Sequence, residues 1–248
     1  MSMVSPDGLS EHITVKSYDV DWTGLLKLQS LFQYFQEIAG INATRLGVGF
    51  EELRKRRLFW VLSRIKVEIQ RLPEWNEVVE LSTWPKSVDR LFAIRDFRMK
   101  DLSGAILLNA TSAWLLVDMD KGRPQRFELL PVDIRTYHGE DAIAAPFEKI
   151  QPVATMVRSH SRGVMPGDLD VNHHVNNATY IGWITDCFSP EFLGQKAVRA
   201  LEVNYVSEAV FGDTVSVNWG DRGGGVYDIE VLSMNGNAKL VHAVVELR

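Results

Sequence analysis

The chain is short of several features that would fix its class at once. It has one cysteine, Cys187, in 248 residues, so an intrachain disulfide and a cysteine-rich metal cluster are both excluded. No apolar run reaches the length of about 18 residues that a membrane-spanning helix needs. The start, Met1-Ser2-Met3-Val4-Ser5-Pro6, has no basic segment followed by an apolar stretch, so no secretory signal is visible. Neither sign of charge dominates. The 27 basic and 32 acidic residues give a net charge of −5, which argues against a dedicated nucleic-acid binder but leaves room for a basic patch facing an acidic partner. What remains is material for a real core, 46% hydrophobic and 24% charged, close to the globular average. The length suits one large domain or two small ones.

Periodicity predicts the elements. Glu11 to Tyr18 alternates as a strand. From Lys27 to Ala39, the residues Leu28, Leu31, Phe32, Phe35, Ile38 and Ala39 recur at helical spacing. A shorter helix with a basic end is expected between Arg45 and Arg57. Strands follow over Phe59 to Ile69, Val78 to Trp84, Leu91 to Lys100 and Ile106 to Asp118, with Asp101-Leu102-Ser103-Gly104 as a hairpin turn. Asp120 to Pro152 reads as a connection with one short helix. The plan then repeats: a strand within Val153 to Val164, a helix over Val175 to Phe188, and strands over Ala200 to Val206, Asp213 to Gly220, Val226 to Met234 and Ala238 to Leu247.

This is read as an internal duplication. Asp21-Trp22-Thr23 is set against Asp168-Leu169-Asp170, Trp75 to Val79 against Phe211 to Val215, and Gly104 against Gly236. The expected domains are residues 8–135 and 151–248, joined by a linker over 136–150.

One segment is unusually rich in reactive side chains. Gly167 to Tyr180 holds two Asp, three Asn, two His, a Thr and a Tyr at the entry to the second helix. Asp, Asn and Thr are ordinary helix-entry residues. Capping does not call for an imidazole, however, and Asp170, Asn172 and His174 fall at alternating positions, so an extended segment points them one way. A carboxylate and an imidazole can move protons near neutral pH, and an amide can hold water or a carbonyl. The adjacent His173 and His174 beside Asp could also ligate a metal, although the segment offers no evident further ligand. In the alignment above, the counterparts of Asp170, Asn172 and His174 are Thr23, Leu25 and Lys27. The polar trio is therefore not demanded by the shared plan.

The segment Asp170-x-Asn172-x-His174-Val175-Asn176-Asn177-x-x-Tyr180-Ile181-Gly182-Trp183 resembles the signature of the plant and bacterial acyl-acyl-carrier-protein thioesterases. The likeness extends to Asn42, Trp60 to Arg64, Pro73-x-Trp75-x-Glu77-Val78-Val79, Thr83-Trp84, Arg95-Asp96, Ala113-Trp114 and Glu202 to Asp213. It implies an α+β fold of two tandem hotdog domains, antiparallel sheets each wrapped around a long central helix. It also implies hydrolysis of fatty acyl-carrier protein to free fatty acid, with Asp170, Asn172, His174 and Glu208 as catalytic residues and with neither cofactor nor metal. Plant members usually carry Cys directly after this Glu. Here the position is Ala209, which leaves water attack without an acyl-enzyme. Glu208 and Asp170 are both open as the base. The plant enzymes have a plastid transit peptide that is not seen here, so a bacterial, cytoplasmic member is expected.

Leu28, Leu31, Phe32, Phe35 and Trp60 are candidates to line an acyl slot, against the reading that they are simply core. Arg54, Lys55, Arg56 and Arg57 form the densest basic run. Since the family's carrier protein is acidic, they are candidates for its docking. Rival readings are an acyl-coenzyme A thioesterase and a non-catalytic acyl-thioester-binding module. Monomer and homodimer both remain open.

Overall fold

The structure, a computed structural model, describes residues 8–134, 141–145, 147, 150, 151, 155, 156, 158–236 and 238–248. The chain divides into two compact units. One comprises Met1–Leu26 and Gln33–Pro146, the other Lys27–Phe32 and Phe147–Arg248.

In the first unit, alternating apolar residues build β1 (Leu9–Thr14), β2 (Leu58–Ile69), β3 (Val78–Asp89), β4 (Phe92–Asp101) and β5 (Ile106–Asp118). They lie antiparallel in the order β1-β3-β4-β5-β2. Val79, Leu81, Phe97, Met99, Leu108 and Ala110 are buried on these strands. Helix α1 (Leu28–Arg45) lies against them, with Phe35 and Phe97 ring centroids 4.7 Å apart. A short α2 (Phe50–Lys55) follows, and Val48, Leu53, Leu58, Leu116, Phe127 and Leu130 form a further buried cluster beside it.

Two elements outrun their sequence patterns. Helix α1 passes Ala39 because the polar Asn42 is buried with an internal partner, its Oδ1 accepting from Arg95 Nη1 at 2.7 Å. Strand β3 passes Trp84 through Pro85, where the register shifts before Ser87. A bulge lets the ladder continue past a residue that has no N–H to give. The hairpin turn is as expected: Asp101 Oδ1 accepts from the Ser103 and Ala105 amides, and Gly104 has φ +88°.

The second unit contains β6 (Arg158–Gly163), α3 (Asn177–Thr185), α4 (Pro190–Leu193), β7 (Val198–Tyr205), β8 (Thr214–Gly223), β9 (Val226–Ser233) and β10 (Lys239–Leu247). Its order is β7-β10-β9-β8-β6. This is the first unit's order again, with β6 to β10 taking the places of β1 to β5. Each unit is the helix-and-sheet arrangement of a hotdog domain. Helix α3 starts at Asn177 because the Asn176 side chain caps it, accepting from the Ala178 amide at 2.8 Å. Part of the expected linker, and the start of the strand expected from Val153, lie outside the described residues. The expected short helix is a 3-10 turn at Phe127–Leu129.

Both sheets carry a fully buried aspartate on the strand after the first hairpin turn. Asp96 accepts from the Ala142 amide at 2.7 Å and lies 3.4 Å from Lys86 Nζ, which also donates to Ile143 O. Asp228 is held by Arg222, which also donates to Gln151 O, and by His242 Nε2 at 3.1 Å. Each pair thus ties a stretch of the connecting chain to its own unit.

Candidate active site

The turn before α3 is shaped by one side chain. Asp170 Oδ1 accepts from the amides of Asn172 at 2.8 Å and His174 at 3.4 Å. Its backbone closes the turn, with the Asp170 N–H on His174 O at 2.8 Å and the His173 N–H on Asp170 O at 3.0 Å. His173 takes the left-handed conformation at φ +64°, which histidine adopts more readily than most side chains. Leaving this turn, Val175 N–H donates to Ala209 O at 2.9 Å, and His174 pairs with Val210 as an isolated bridge. That pairing brings the loop after β7 alongside the turn.

Consequently His174 and Glu208 meet. His174 Nδ1 lies 3.0 Å from Glu208 Oε2, with side chains 34% and 48% exposed. Asn172 is exposed on the same turn. Of the four expected residues, the structure pairs His174 with Glu208, keeps Asn172 nearby on the chain, and engages Asp170 with main-chain amides.

The first unit is a built-in control, and here the sequence alignment needs correction. Asp21 N–H donates to Leu25 O, Gly24 N–H to Asp21 O and Leu26 N–H to Pro73 O, while Asp21 Oδ1 accepts from the Thr23 amide. Val20 bridges Leu26 as Leu169 bridges Val175, and Leu25 bridges Glu74 as His174 bridges Val210. The counterparts of Asp170, Asn172 and His174 are therefore Asp21, Thr23 and Leu25, not Thr23, Leu25 and Lys27. Low identity hid a shift in register that the hydrogen bonds fix. Asp170 is a residue that the shared turn requires, and the same turn keeps it in both copies. Asn172, His174 and Glu208 are the additions, and they stand where the first unit has Thr23, Leu25 and Leu72.

Cys187 is remote from nucleophilic chemistry. Its Sγ donates to Trp183 O at 3.7 Å within the helix, and burial pushes the thiol up to about 12. Ala209 is fully buried.

The candidate slot residues Leu28, Leu31, Phe32 and Phe35 are all buried. Trp60 is half-buried, donates from Nε1 to Val48 O at 3.0 Å and packs near Phe127. A cleft of about 580 Å³ lined by Pro124, Gln125, Arg126, Glu128 and Leu129 contains none of them. In the basic run, Arg54 sits over the Phe50 ring, Lys55 lies 3.8 Å from Glu52, and Arg57 forms a forked pair with Asp120. Arg56 is exposed at the end of α2.

Sequence reasoning gave no individual role to two tyrosines of this unit, the buried Tyr180 and the half-buried Tyr205. Tyr205 Oη donates to Asn177 O at 3.0 Å, and Tyr180 Oη accepts from the Ala209 amide at 3.1 Å. Burial raises both hydroxyls well above the usual tyrosine range. Both fall within the family likeness, but their spacing on an apolar helix and strand gave no signal beyond core.

Comparison with known proteins agrees with this layout. Residues 7–130 match the acyl-ACP thioesterase N-terminal domain and residues 154–239 its C-terminal domain. Oleoyl-acyl carrier protein thioesterase 1 of Arabidopsis thaliana, a chloroplastic protein, is 30% identical over 237 residues, covering 87% of this chain and 65% of the relative. A solved acyl-ACP thioesterase from Bacteroides thetaiotaomicron superposes with TM-score 0.88 at 26% identity over 98% of both chains. The 12:0-ACP thioesterase of Umbellularia californica shares the fold, with TM-score 0.85 at 22% identity over 98% of this chain and 97% of that one. The chain belongs to the acyl-ACP thioesterase family.

Proposed function

We propose that the protein hydrolyses the thioester between a fatty acyl group and acyl carrier protein, releasing free fatty acid. The observation that carries the reading is the His174–Glu208 pair, built on a turn whose copy in the first unit has Leu25 and Leu72 in those places. A shared scaffold that gains an imidazole and a carboxylate in contact, in one copy only, has gained a proton-transfer device.

The chemistry follows from the geometry. Nδ1–H of a neutral His174 donates to the Glu208 carboxylate, which leaves the Nε2 lone pair for a water molecule. The carboxylate fixes the tautomer and stabilises the imidazolium that forms, as a buried or partly buried acid does for a catalytic histidine. Water attacks the acyl carbon as Nε2 takes its proton. The C–S bond then breaks, and the departing sulfur receives that proton. Thiolate is a good leaving group, so the step needs no acyl-enzyme. The Asn172 amide is placed to hold the water or the thioester carbonyl. Asp170 has its carboxylate on two amides, so it shapes the turn and Glu208 is the acid of the pair.

In this reading residues 151–248 carry the chemistry, and the acyl chain lies along Leu28, Leu31, Phe32, Phe35 and Trp60 within residues 8–135. The exposed Arg56, with Arg54, Lys55 and Arg57, meets the acidic carrier, in a cytoplasmic, bacterial setting. The test is a side-by-side assay of acyl-carrier protein and acyl-coenzyme A of matched chain length. Faster turnover of the carrier substrate at low salt, with the advantage shrinking as salt rises, supports the carrier. Equal kcat/KM for both substrates favours a general acyl-thioesterase.

A further inference from the structure

We infer that Tyr180 is a positioning residue for Glu208, acting through the main-chain N–H of Ala209. The inference rests on the proposed role of Glu208 in thioester hydrolysis. Ala209 directly follows Glu208 and is fully buried. Its carbonyl accepts from Val175 N–H at 2.9 Å, and its N–H donates to Tyr180 Oη at 3.1 Å. The residue next to Glu208 is therefore held at both of its backbone polar groups. Tyr180, itself 2% exposed, is fixed by edge contacts to Trp183 at 4.9 Å and Tyr205 at 6.2 Å.

The first unit shows what this bond is for. Its backbone is the same, with Leu26 N–H donating to Pro73 O at 2.9 Å, so Pro73 stands where Ala209 stands. Helix α1 starts at Leu28 as α3 starts at Asn177, so Leu31 stands where Tyr180 stands. Proline has no N–H, and the counterpart of Tyr180 in the repeat is aliphatic. Alanine has an N–H shut away from water, and there the facing residue carries an oxygen. A buried donor without a partner is strongly unfavourable. The loop would move to satisfy it, and Glu208 would move with the loop. The exchange of Leu31 and Pro73 for Tyr180 and Ala209 thus accompanies the exchange of Leu72 for Glu208.

The test compares wild type, Tyr180→Phe, Tyr180→Phe with Ala209→Pro, and Glu208→Gln. Two readouts are used: steady-state hydrolysis of acyl-carrier protein, and the ¹⁵N resonance of His174 Nδ1, which reports its bond to residue 208 without turnover. Tyr180→Phe is expected to lower kcat by about tenfold at nearly unchanged KM, since small misplacements of a catalytic group cost rate. Its Nδ1 resonance moves towards that of Glu208→Gln. Adding Ala209→Pro, which removes the orphaned donor as the first unit does, restores both. Wild-type kcat and resonance in Tyr180→Phe would overturn the inference, as would a loss that the proline leaves uncorrected. Should Tyr180→Phe not fold, the double variant decides alone: a wild-type resonance supports the inference and a Glu208→Gln-like one overturns it. A wild type that hydrolyses no acyl thioester defeats the proposed function instead, and the resonance comparison still reads the role of Tyr180.

Discussion

Asp170 and Glu208 are both carboxylates that the sequence places near His174, and only their hydrogen bonds separate their roles. Asp170 binds the amides of Asn172 and His174, and Asp21 does the same work in the other copy with the Thr23 amide. Side chain to backbone bonds of this kind favour turns, but residue types alone do not reveal which acid makes them. Asn retains the accepting Oδ1. Asp170→Asn should therefore keep activity within about tenfold of wild type, whereas Glu208→Gln should lose about 100-fold or more as the acid–base pair is broken. Equal losses in steady-state kcat would return Asp170 to the chemistry. Cys187 gives a second contrast at this scale. With its thiol held protonated by burial up to about 12, incubation with a thiol-alkylating reagent at neutral pH should leave turnover intact, because the thiolate is the reactive form.

At the scale of elements, strands were readable because one face is buried and alternation follows, and β5 runs over Ile106–Asp118 as its pattern predicts. Tertiary partners decided what was not readable. Asn42 extends α1 by bonding Arg95, and a register shift carries β3 past Pro85. The Asp228 network is of the same kind, since Asp228 on β9 is held by Arg222 of β8 and His242 of β10. His242 is 4% exposed, and burial lowers its pKa despite the neighbouring Asp228, with Lys239 also lowering it and Glu230 raising it. The folded state therefore binds a proton less readily than the unfolded one. Stability is full above the unfolded value of 6.5 and is lost as pH falls through that value towards the lower folded one. Thermal unfolding followed between pH 7.5 and 5 should show the midpoint falling with acid. The fall should be shallower in His242→Gln, measured against that variant's own midpoint at pH 7.5. Parallel curves would remove His242 as the cause.

At the scale of the whole molecule, the duplication was legible from the order of elements, while its register was not. The structure turns the repeat into a comparison of two copies of one turn, and so separates what folding requires from what was added. Carrier docking also belongs here. Arg57 is committed to Asp120, so the informative change is Arg56→Glu. It should raise KM for acyl-carrier protein several-fold at low salt and leave acyl-coenzyme A unaffected, an effect of order a kcal/mol as expected for a rim charge.

The central claim is that hydrolysis depends on the pair of His174 and Glu208 in the second unit. Single-turnover release of free fatty acid from acyl-carrier protein, measured for wild type, His174→Ala and Glu208→Gln at saturating enzyme, tests it most directly. The account predicts rapid release by wild type and losses of about 100-fold or more in both variants, with the substrate still bound. Release at near wild-type rate by both variants would contradict it.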